Sequence, residues 1–566
     1  MLLLTAEAMR RWDRATIESG ATDGAMLMER AGAGVVAAME RRYGPMLGLR
    51  VLVLCGPGKN GGDGLVAARH LRDRGASVVP LLLASRQRVT GEAGEHLARL
   101  EREAVAVREV ASEQDLTREL GGLDAWDFAL DALLGTGARG EPEGLMAAGV
   151  EQLRILDEHG TRVVAVDLPT GVAADSGAIA RRAVRADLTV TFGAPKRGHA
   201  LYPGRAFSGA LEVVDIGLAA PPAGDPDFAV ELATHDGLAA LVRERDPRAH
   251  KHSVGRVLVI GGSAGLSGAV ALAARGATRA GAGAVQMLVP ASLLDVLETK
   301  LTEEMTLAAP ETTARSLART ARAAAVARAA AVEAVVLGSG LSRHPASLEL
   351  ARALVRDIPQ PVVVDADALN ALAPPVSPGS GARSRGGRAA TRRARGAAVR
   401  GSGLESLARA AGPRIVTPHL GEMSRLTGRE SGALERDRID AARHYAREWN
   451  AVVVLKGAPT VTAAPDGRAT VNPTGNSGMA TAGAGDVLAG AIAALAASGL
   501  PAYDAGRLGA YVHGLAGDRC AGESGPLGLA AGDLAAALPA ALFELARHRD
   551  AALASGAAGP NQRGPR

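Results

Sequence analysis

The chain reads as two successive α/β units, each a largely parallel sheet covered by helices on both faces. Three observations point there. Short apolar runs alternate with amphipathic stretches in both halves. At 566 residues the chain exceeds one ordinary domain. A proline- and glycine-rich break, Pro221-Pro222-Ala223-Gly224-Asp225-Pro226, separates the two series.

In the first series, strands are expected at Val51–Leu54, Val78–Leu83, Phe128–Leu130, Val163–Val166, Leu188–Thr191 and Leu211–Val214. Helical patterns lie between most of them, Gly64–Arg74 among them. In the second, strands are expected at Arg256–Ile260, Ala334–Leu337, Pro361–Val364, Arg414–Val416 and Val452–Leu455. Residues 374–403 break that series with a Pro/Gly/Ser/Arg/Ala tract of neither period, expected to be a disordered loop. The expected layout is a domain over 1–220, a linker over 221–229, a domain over 230–550 and a disordered tail over 551–566.

Composition narrows the function classes. Hydrophobic residues make up 47% but aromatics only 2%, so Val, Leu and Ala must fill the cores. Cys55 and Cys520 have no disulfide or metal-ligand spacing, which suits a reduced, cytoplasmic setting. Leu2-Leu3-Leu4 is too short for a signal-peptide core. The Ala-rich tract 314–331 carries Arg315, Arg319, Arg322 and Arg328, so no membrane span is expected. The net charge of +4 hides an uneven distribution. Residues 374–400 hold seven arginines and no acid; without them Lys+Arg falls from 64 to 57 against 60 Asp+Glu, leaving −3. The basic tract has no aromatics for stacking, so no nucleic-acid partner is expected. Lysine is scarce, at five positions: 59, 196, 251, 300 and 456.

The strongest motif lies near the C-terminus: Asn476-Ser477-Gly478-Met479-Ala480-Thr481-Ala482-Gly483-Ala484-Gly485-Asp486. It leads into an apolar run. Asp486 would occupy the first turn of a helix whose free N–H groups form an anion hole. That pairing suits phosphoryl transfer to a hydroxyl, with Asp486 taking the proton. Other pieces precede it: Gly338-Ser339-Gly340, Asp365-Ala366-Asp367, Thr417-Pro418-His419-Leu420-Gly421-Glu422 and Lys456-Gly457-Ala458-Pro459-Thr460. Taken alone, His419 reads as a satisfied loop histidine.

The first half carries Cys55-Gly56-Pro57-Gly58-Lys59-Asn60-Gly61-Gly62-Asp63-Gly64 after a strand, opening a helix. Backbone can approach a phosphate closely in such a loop. Asp131–Gly140 and Asp167-Leu168-Pro169-Thr170-Gly171 follow two further strands. Asn60, Asp131, Asp167 and Thr170 would converge at the carboxyl ends of the strands, an oxygen set suited to a hard cation. Asp131 and Asp167 alternatively cap the helices that follow.

With Leu27-Met28-Glu29-Arg30-Ala31-Gly32 and Thr191–Lys196, these motifs resemble the NAD(P)H-hydrate epimerase family over about residues 1–220. The resemblance implies a Rossmann-like three-layer α/β/α fold and K+ held by Asn60, Asp131 and Thr170. It implies substrate contacts at Lys59, Asn60, Gly61, Gly62, Asp63, Gly135, Thr136, Gly137, Ala138, Arg139, Gly140, Glu141 and Asp167. Asp167 is the choice for acid–base work. Two positions depart from the family: Lys59 stands where Asn is usual, and Thr170 where Ser is usual. Lys59 either pairs with substrate phosphate or opposes the cation.

The second half resembles the ribokinase-like superfamily, and within it the ADP/ATP-dependent NAD(P)H-hydrate dehydratases, over about residues 230–550. Another three-layer α/β/α fold is implied. Ala269, Gly340, His419 and Asp486 would contact the hydrate (NADHX or NADPHX). Lys456, Gly457, Ala458, Pro459, Thr460 and Gly485 would hold the adenine nucleotide. Asp486 would be the catalytic carboxylate, ADP the donor by analogy, and Mg2+ the ion on its phosphates. A homo-oligomer is also implied by analogy. Two other readings remain open: a plain small-molecule kinase, and a non-catalytic N-terminal nucleotide-binding module.

Overall fold

The computed structural model describes residues 1–103, 105–121, 126–374 and 403–554. It separates into two compact units, Met1–Glu231 and Leu232 onward. The seventeen strands described are β1 Arg50–Cys55, β2 Ser77–Leu82, β3 Arg108–Glu109, β4 Phe128–Ala132, β5 Arg162–Val166, β6 Leu188–Phe192, β7 Ala210–Val214, β8 Val230–Leu232, β9 Arg256–Ile260, β10 Ala284–Pro290, β11 Met305–Ala309, β12 Ala334–Leu337, β13 Val362–Val364, β14 Arg414–Val416, β15 Val452–Leu455, β16 Thr460–Ala463 and β17 Ala469–Asn472.

The first sheet is parallel throughout, in the order β3-β2-β1-β4-β5-β6-β7. This is a Rossmann-like order with its switch point between β1 and β4. Alternation along β1 shows why. Val51, Val53 and Cys55 join the core beneath helices Gly24–Tyr43, Lys59–Asp73 and Gly91–Arg102. Leu52 and Leu54 join the opposite core with Val150 and Leu153 of helix Gly144–Glu158. A strand buried on both faces must be apolar where it is covered, and β1 is apolar from Val51 to Cys55, with Arg50 only half-buried at its start.

The helix expected to start at Gly64 starts at Lys59. The glycines lie inside it because side chains would collide there. A Cβ at Gly61 would stand 1.8 Å from the Gly56 carbonyl oxygen, and one at Gly64 2.4 Å from Ala132 Cβ. The glycine-rich stretch is thus partly a helix pressed onto the sheet.

The second sheet runs β11-β10-β9-β12-β13-β14-β15-β16-β17-β8. It is parallel from β11 to β15 and antiparallel through β15, β16 and β17. The sequence reading missed β3, β8, β10, β11, β16 and β17. The last two are four-residue runs whose Ala and Thr residues give little apolar contrast, joined through Pro465-Asp466-Gly467. Helices Ser267–Arg279 and Ala484–Ala497 cross at backbone contact. Cβ atoms at Gly276 and Gly490 would lie 2.4 Å and 2.0 Å from the Val487 and Ala273 carbonyl oxygens. Small residues at that crossing let a core with few aromatics close.

Two boundaries differ from expectation. Within 221–229, Asp225 and Asp227 pair with Arg11 at 2.8 and 2.7 Å, and Phe228 meets Trp12 edge-on at 5.9 Å. That stretch is tied into the first unit rather than free. The last helix runs to Ala554, so 551–554 are helical, extended by a run of good helix formers. Residues 375–402 of the Arg-rich insert expected over 374–403, and residues 555–566 of the expected tail, lie outside the described residues. No helix among the described residues is long and apolar enough to cross a membrane.

Candidate active sites

In the first unit the loops after β1, β4, β5 and β6 surround a cleft of about 840 Å3. Its walls include Asp13, Lys59, Asn60, Asp63, Asp167 and Lys196. Gly135, Thr136, Gly137 and Ala138 line it too. Arg139, Gly140 and Glu141 instead line an adjoining cleft of about 380 Å3, where Glu141 accepts from the Arg181 N–H at 2.9 Å. Gly61 and Gly62 do not line the main cleft; Gly62 packs on Met28, which does.

Asp167 follows β5 with φ +66°, a left-handed conformation that aims its carboxylate at the next strand end. Its Oδ1 accepts from Lys196 Nζ at 2.5 Å and from Thr191 Oγ1 at 2.9 Å. Lys196 is 2% exposed and also donates to Thr191 Oγ1 and the Phe192 carbonyl. Burial alone would raise the carboxyl's pKa, but the lysine charge and these bonds hold it below the usual range. The Lys196 backbone N–H donates to His199 Nδ1 at 3.0 Å, and burial beside Lys196 drives the imidazole down to about 3. In the sequence Lys196 ends the Thr191–Lys196 motif without an assigned role, and the scarcity of lysine is its one signal.

Asp131, fully buried at the end of β4, caps no helix. It accepts from the Thr170 N–H and hydroxyl, both at 2.7 Å, and from the Leu133 N–H at 3.3 Å. Burial pushes it up to about 6 against these donors. Asn60 is buried with neither amide atom hydrogen-bonded. Its Oδ1 lies 3.3 Å from where a Gly135 Cβ would be, and Leu134 N–H donates to Thr170 Oγ1 at 3.1 Å. The one loop therefore adjoins both Asn60 and Thr170. Lys59 points elsewhere: its side chain is 74% exposed and pairs with Glu92 at 3.3 Å.

The second unit gathers its groups at the carboxyl ends of β12 to β15. Asp365, after β13, accepts from Lys456 Nζ at 2.8 Å and Thr417 Oγ1 at 2.7 Å. Glu422 is 3.8 Å from the same amine. Gly485 sits against this group: a Cβ there would meet Lys456 Nζ at 3.1 Å and Asp365 Oδ2 at 3.7 Å. Asp486 follows it in the first turn of helix Ala484–Ala497, which is entered through Gly483 at φ +90°. Burial, with repulsion from Asp365, raises the Asp486 carboxyl to about 7, while Ser339 and Lys456 oppose the rise.

Gly340, at φ +62°, stands beside Ala269; a Cβ on it would lie 3.3 Å from the Ala269 Cβ. Loop Lys456–Thr460 is braced by buried Arg438, which donates to the Lys456 carbonyl at 3.2 Å. Thr460 Oγ1 closes it, donating to the Gly457 carbonyl at 3.2 Å. His419 has a structural task as well: Nδ1 caps helix Leu420–Thr427, accepting from the Gly421 and Glu422 N–H groups. Asp365, Glu422 and Ser339 went without roles in the sequence reading, because partnership across strand ends has no linear signature.

Two family models match the chain. One, described as YjeF-related protein N-terminus, covers 24–198. The other, NAD(P)H-hydrate dehydratase, covers 257–381 and 396–540, passing over part of the Arg-rich insert. The bifunctional NAD(P)H-hydrate repair enzyme Nnr of Moorella thermoacetica is 41% identical over 557 residues, 98% of this chain and 99% of that one. The chain belongs to this family. The Nnr enzyme of Thermofilum pendens is 38% identical, covering 94% of each chain. A solved ADP/ATP-dependent NAD(P)H-hydrate dehydratase from Bacillus subtilis, co-crystallised with ATP/Mg2+, is 27% identical over 56% of this chain and 99% of that one, with a TM-score of 0.43. Membership of this family along nearly the whole chain disfavours the plain-kinase reading and the inert-module reading.

Proposed function

We propose that the chain repairs hydrated NADH and NADPH: the first unit interconverts the R and S hydrates, and the second dehydrates the S form at the expense of ADP, in the cytoplasm. One observation carries the second activity. A single carboxylate, Asp486, has its proton affinity set near neutrality at the start of a glycine-led helix.

Hydroxide leaves a ring carbon poorly, and phosphate leaves well. Asp486 takes the proton of the hydrate's hydroxyl as that oxygen attacks the terminal phosphorus of ADP. The amides at the start of helix Ala484–Ala497 receive the negative charge of the moving phosphoryl group. AMP departs. Loss of phosphate from the hydrate, with loss of a proton from the neighbouring carbon, restores the ring double bond. Lys456 holds Asp365 in place and presents positive charge to the nucleotide, with Gly457, Ala458, Pro459, Thr460 and Gly485 around it. Ala269, Gly340 and His419 hold the hydrate. Mg2+, when bound, shields the nucleotide phosphates.

In the first unit, Asp167, kept ionised by Lys196, is the base at the hydrated carbon. Asn60, Asp131 and Thr170 fit K+: the donors are all oxygen, and Asn60 Oδ1 is buried with no protein partner. Held by these residues, K+ would supply a fixed positive charge at the carboxyl end of the sheet.

The test is direct. Purified protein is given racemic hydrate with ADP or ATP, and recovery of nicotinamide absorbance is followed. Complete recovery of both epimers with release of AMP and phosphate is expected. Accumulation of a stable phosphorylated product would overturn the reading.

A further inference from the structure

We infer that Asp63 is the acid of the epimerase cleft, delivering its proton to the departing hydroxyl while Asp167 receives one from the returning water. The inference rests on the epimerase reading above.

Four carboxyl residues line this one cleft: Glu18 from an exposed position, and Asp13, Asp63 and Asp167 sheltered from solvent. They share one buried amine. Lys196 is committed to Asp167 at 2.5 Å. The other amine on the wall, Lys59, is paired outward with Glu92. Arg10 is held by Glu7 at 2.8 Å, and Arg14 lines the wall from an exposed position. Asp63 stands in the second turn of helix Lys59–Asp73, half-buried. No protein hydrogen bond reaches its carboxyl among the described residues.

Carboxylates gathered around one committed ammonium in a sheltered cleft raise one another's proton affinity. Asp167 keeps its charge because it holds the amine. Asp63, facing Asp167 and Asp13 without a counterion of its own, keeps its proton. Burial and the charges of Asp167 and Asp13 raise its pKa well above the carboxylate range, against Lys196 and Lys59. Asp13, on helix Ala6–Glu18, is raised as well, mainly by burial. Two carboxyl groups driven apart in one cleft are the signature of an acid and its base.

The step balances. The ring C–O bond breaks with its electron pair on oxygen, which takes the Asp63 proton and leaves as water. The ring nitrogen's lone pair forms a C=N+ bond, and the new Asp63 carboxylate faces that cation. Water then adds to the opposite face of the ring carbon, giving one proton to Asp167. The hydrate is unchanged in composition and inverted at one carbon. The proton gained by Asp167 returns to Asp63 through solvent.

The experiment uses the full chain without nucleotide. R/S interconversion of the purified hydrate is followed by chromatography, with the spontaneous rate subtracted, and hydrate binding is measured by calorimetry. Asp63→Asn is expected to lower kcat roughly 100-fold or more with hydrate affinity little changed. Asp63→Glu, which keeps an acid and serves if the amide variant misfolds, is expected to recover part of that rate. Asp13→Asn is expected to keep most of it. A wild-type rate in folded Asp63→Asn, hydrate binding lost in step with rate, no recovery in folded Asp63→Glu, or the loss appearing in Asp13→Asn instead would each overturn the assignment. A wild-type protein that does not interconvert the epimers would overturn the epimerase reading itself.

Discussion

Each unit holds a largely buried lysine against an aspartate at the end of another parallel strand of its sheet (the next strand for Lys196, the next but one for Lys456), and the two pairs do opposite things to the proposed base. In the first unit Lys196 grips Asp167 itself at 2.5 Å and holds its pKa down. In the second, Lys456 grips Asp365 at 2.8 Å, and the proposed base, Asp486, stands outside the pair and is pushed up to about 7. One residue pairing at the strand ends of two sheets thus yields a base held ionised and a base poised near neutrality. The partner that the lysine touches decides which.

The largest effect should come from cutting the tighter pair. Lys196→Met leaves the Asp167 charge buried without its partner, at a cost of about 3–5 kcal/mol to the first unit, and epimerase activity should vanish. Lys456→Met should destabilise less, since that side chain is 18% exposed against 2% for Lys196. Thermal melting of both variants checks the order; equal losses would break the comparison.

The second expectation concerns pH. Asp486 accepts a proton only when ionised, so dehydration should fall about tenfold from pH 8 to pH 6, as its pKa of about 7 requires. Epimerisation should not lose its base over that range, because the Asp167 pKa is depressed. Lys456→Met removes a charge that lowers the Asp486 pKa, so the remaining dehydratase activity should need a higher pH. Rate profiles on both substrates decide this, and parallel profiles would contradict the assignment.

The smallest effect is expected at Lys59. Its exposed pair with Glu92 contributes little, so Lys59→Asn should change stability by no more than about 0.5 kcal/mol. Because the amine points outward to Glu92, epimerase activity should also stay within a few-fold of wild type. A large loss in hydrate affinity would show that the lysine turns inward to substrate phosphate.

Much of this was legible in the sequence. Every strand expected from an apolar run is present, because a parallel strand buried on both faces has no choice of residue type. Weakly contrasted strands such as β16 and β17 escaped, since Ala and Thr mark no face. The glycine-rich run 56–64 has the pattern of a phosphate loop, yet three of its glycines lie in a helix, where Gly61 faces the Gly56 backbone and Gly62 and Gly64 face the side chains of Met28 and Ala132. By sequence Asp131 and Asp167 fit either helix caps or site groups; their partners, Thr170 and Lys196, lie 39 and 29 residues away. No local pattern encodes such pairings. The resemblance puts Lys456 at the nucleotide, whereas the scarcity of lysine is the one hint in the sequence of a task for Lys196.

The most direct measurement replaces Asp486 with Asn, a neutral side chain of the same shape, and supplies ADP and racemic hydrate. Nicotinamide absorbance should recover at least roughly 100-fold more slowly, while R/S interconversion continues at the wild-type rate. Recovery at the wild-type rate would contradict the account.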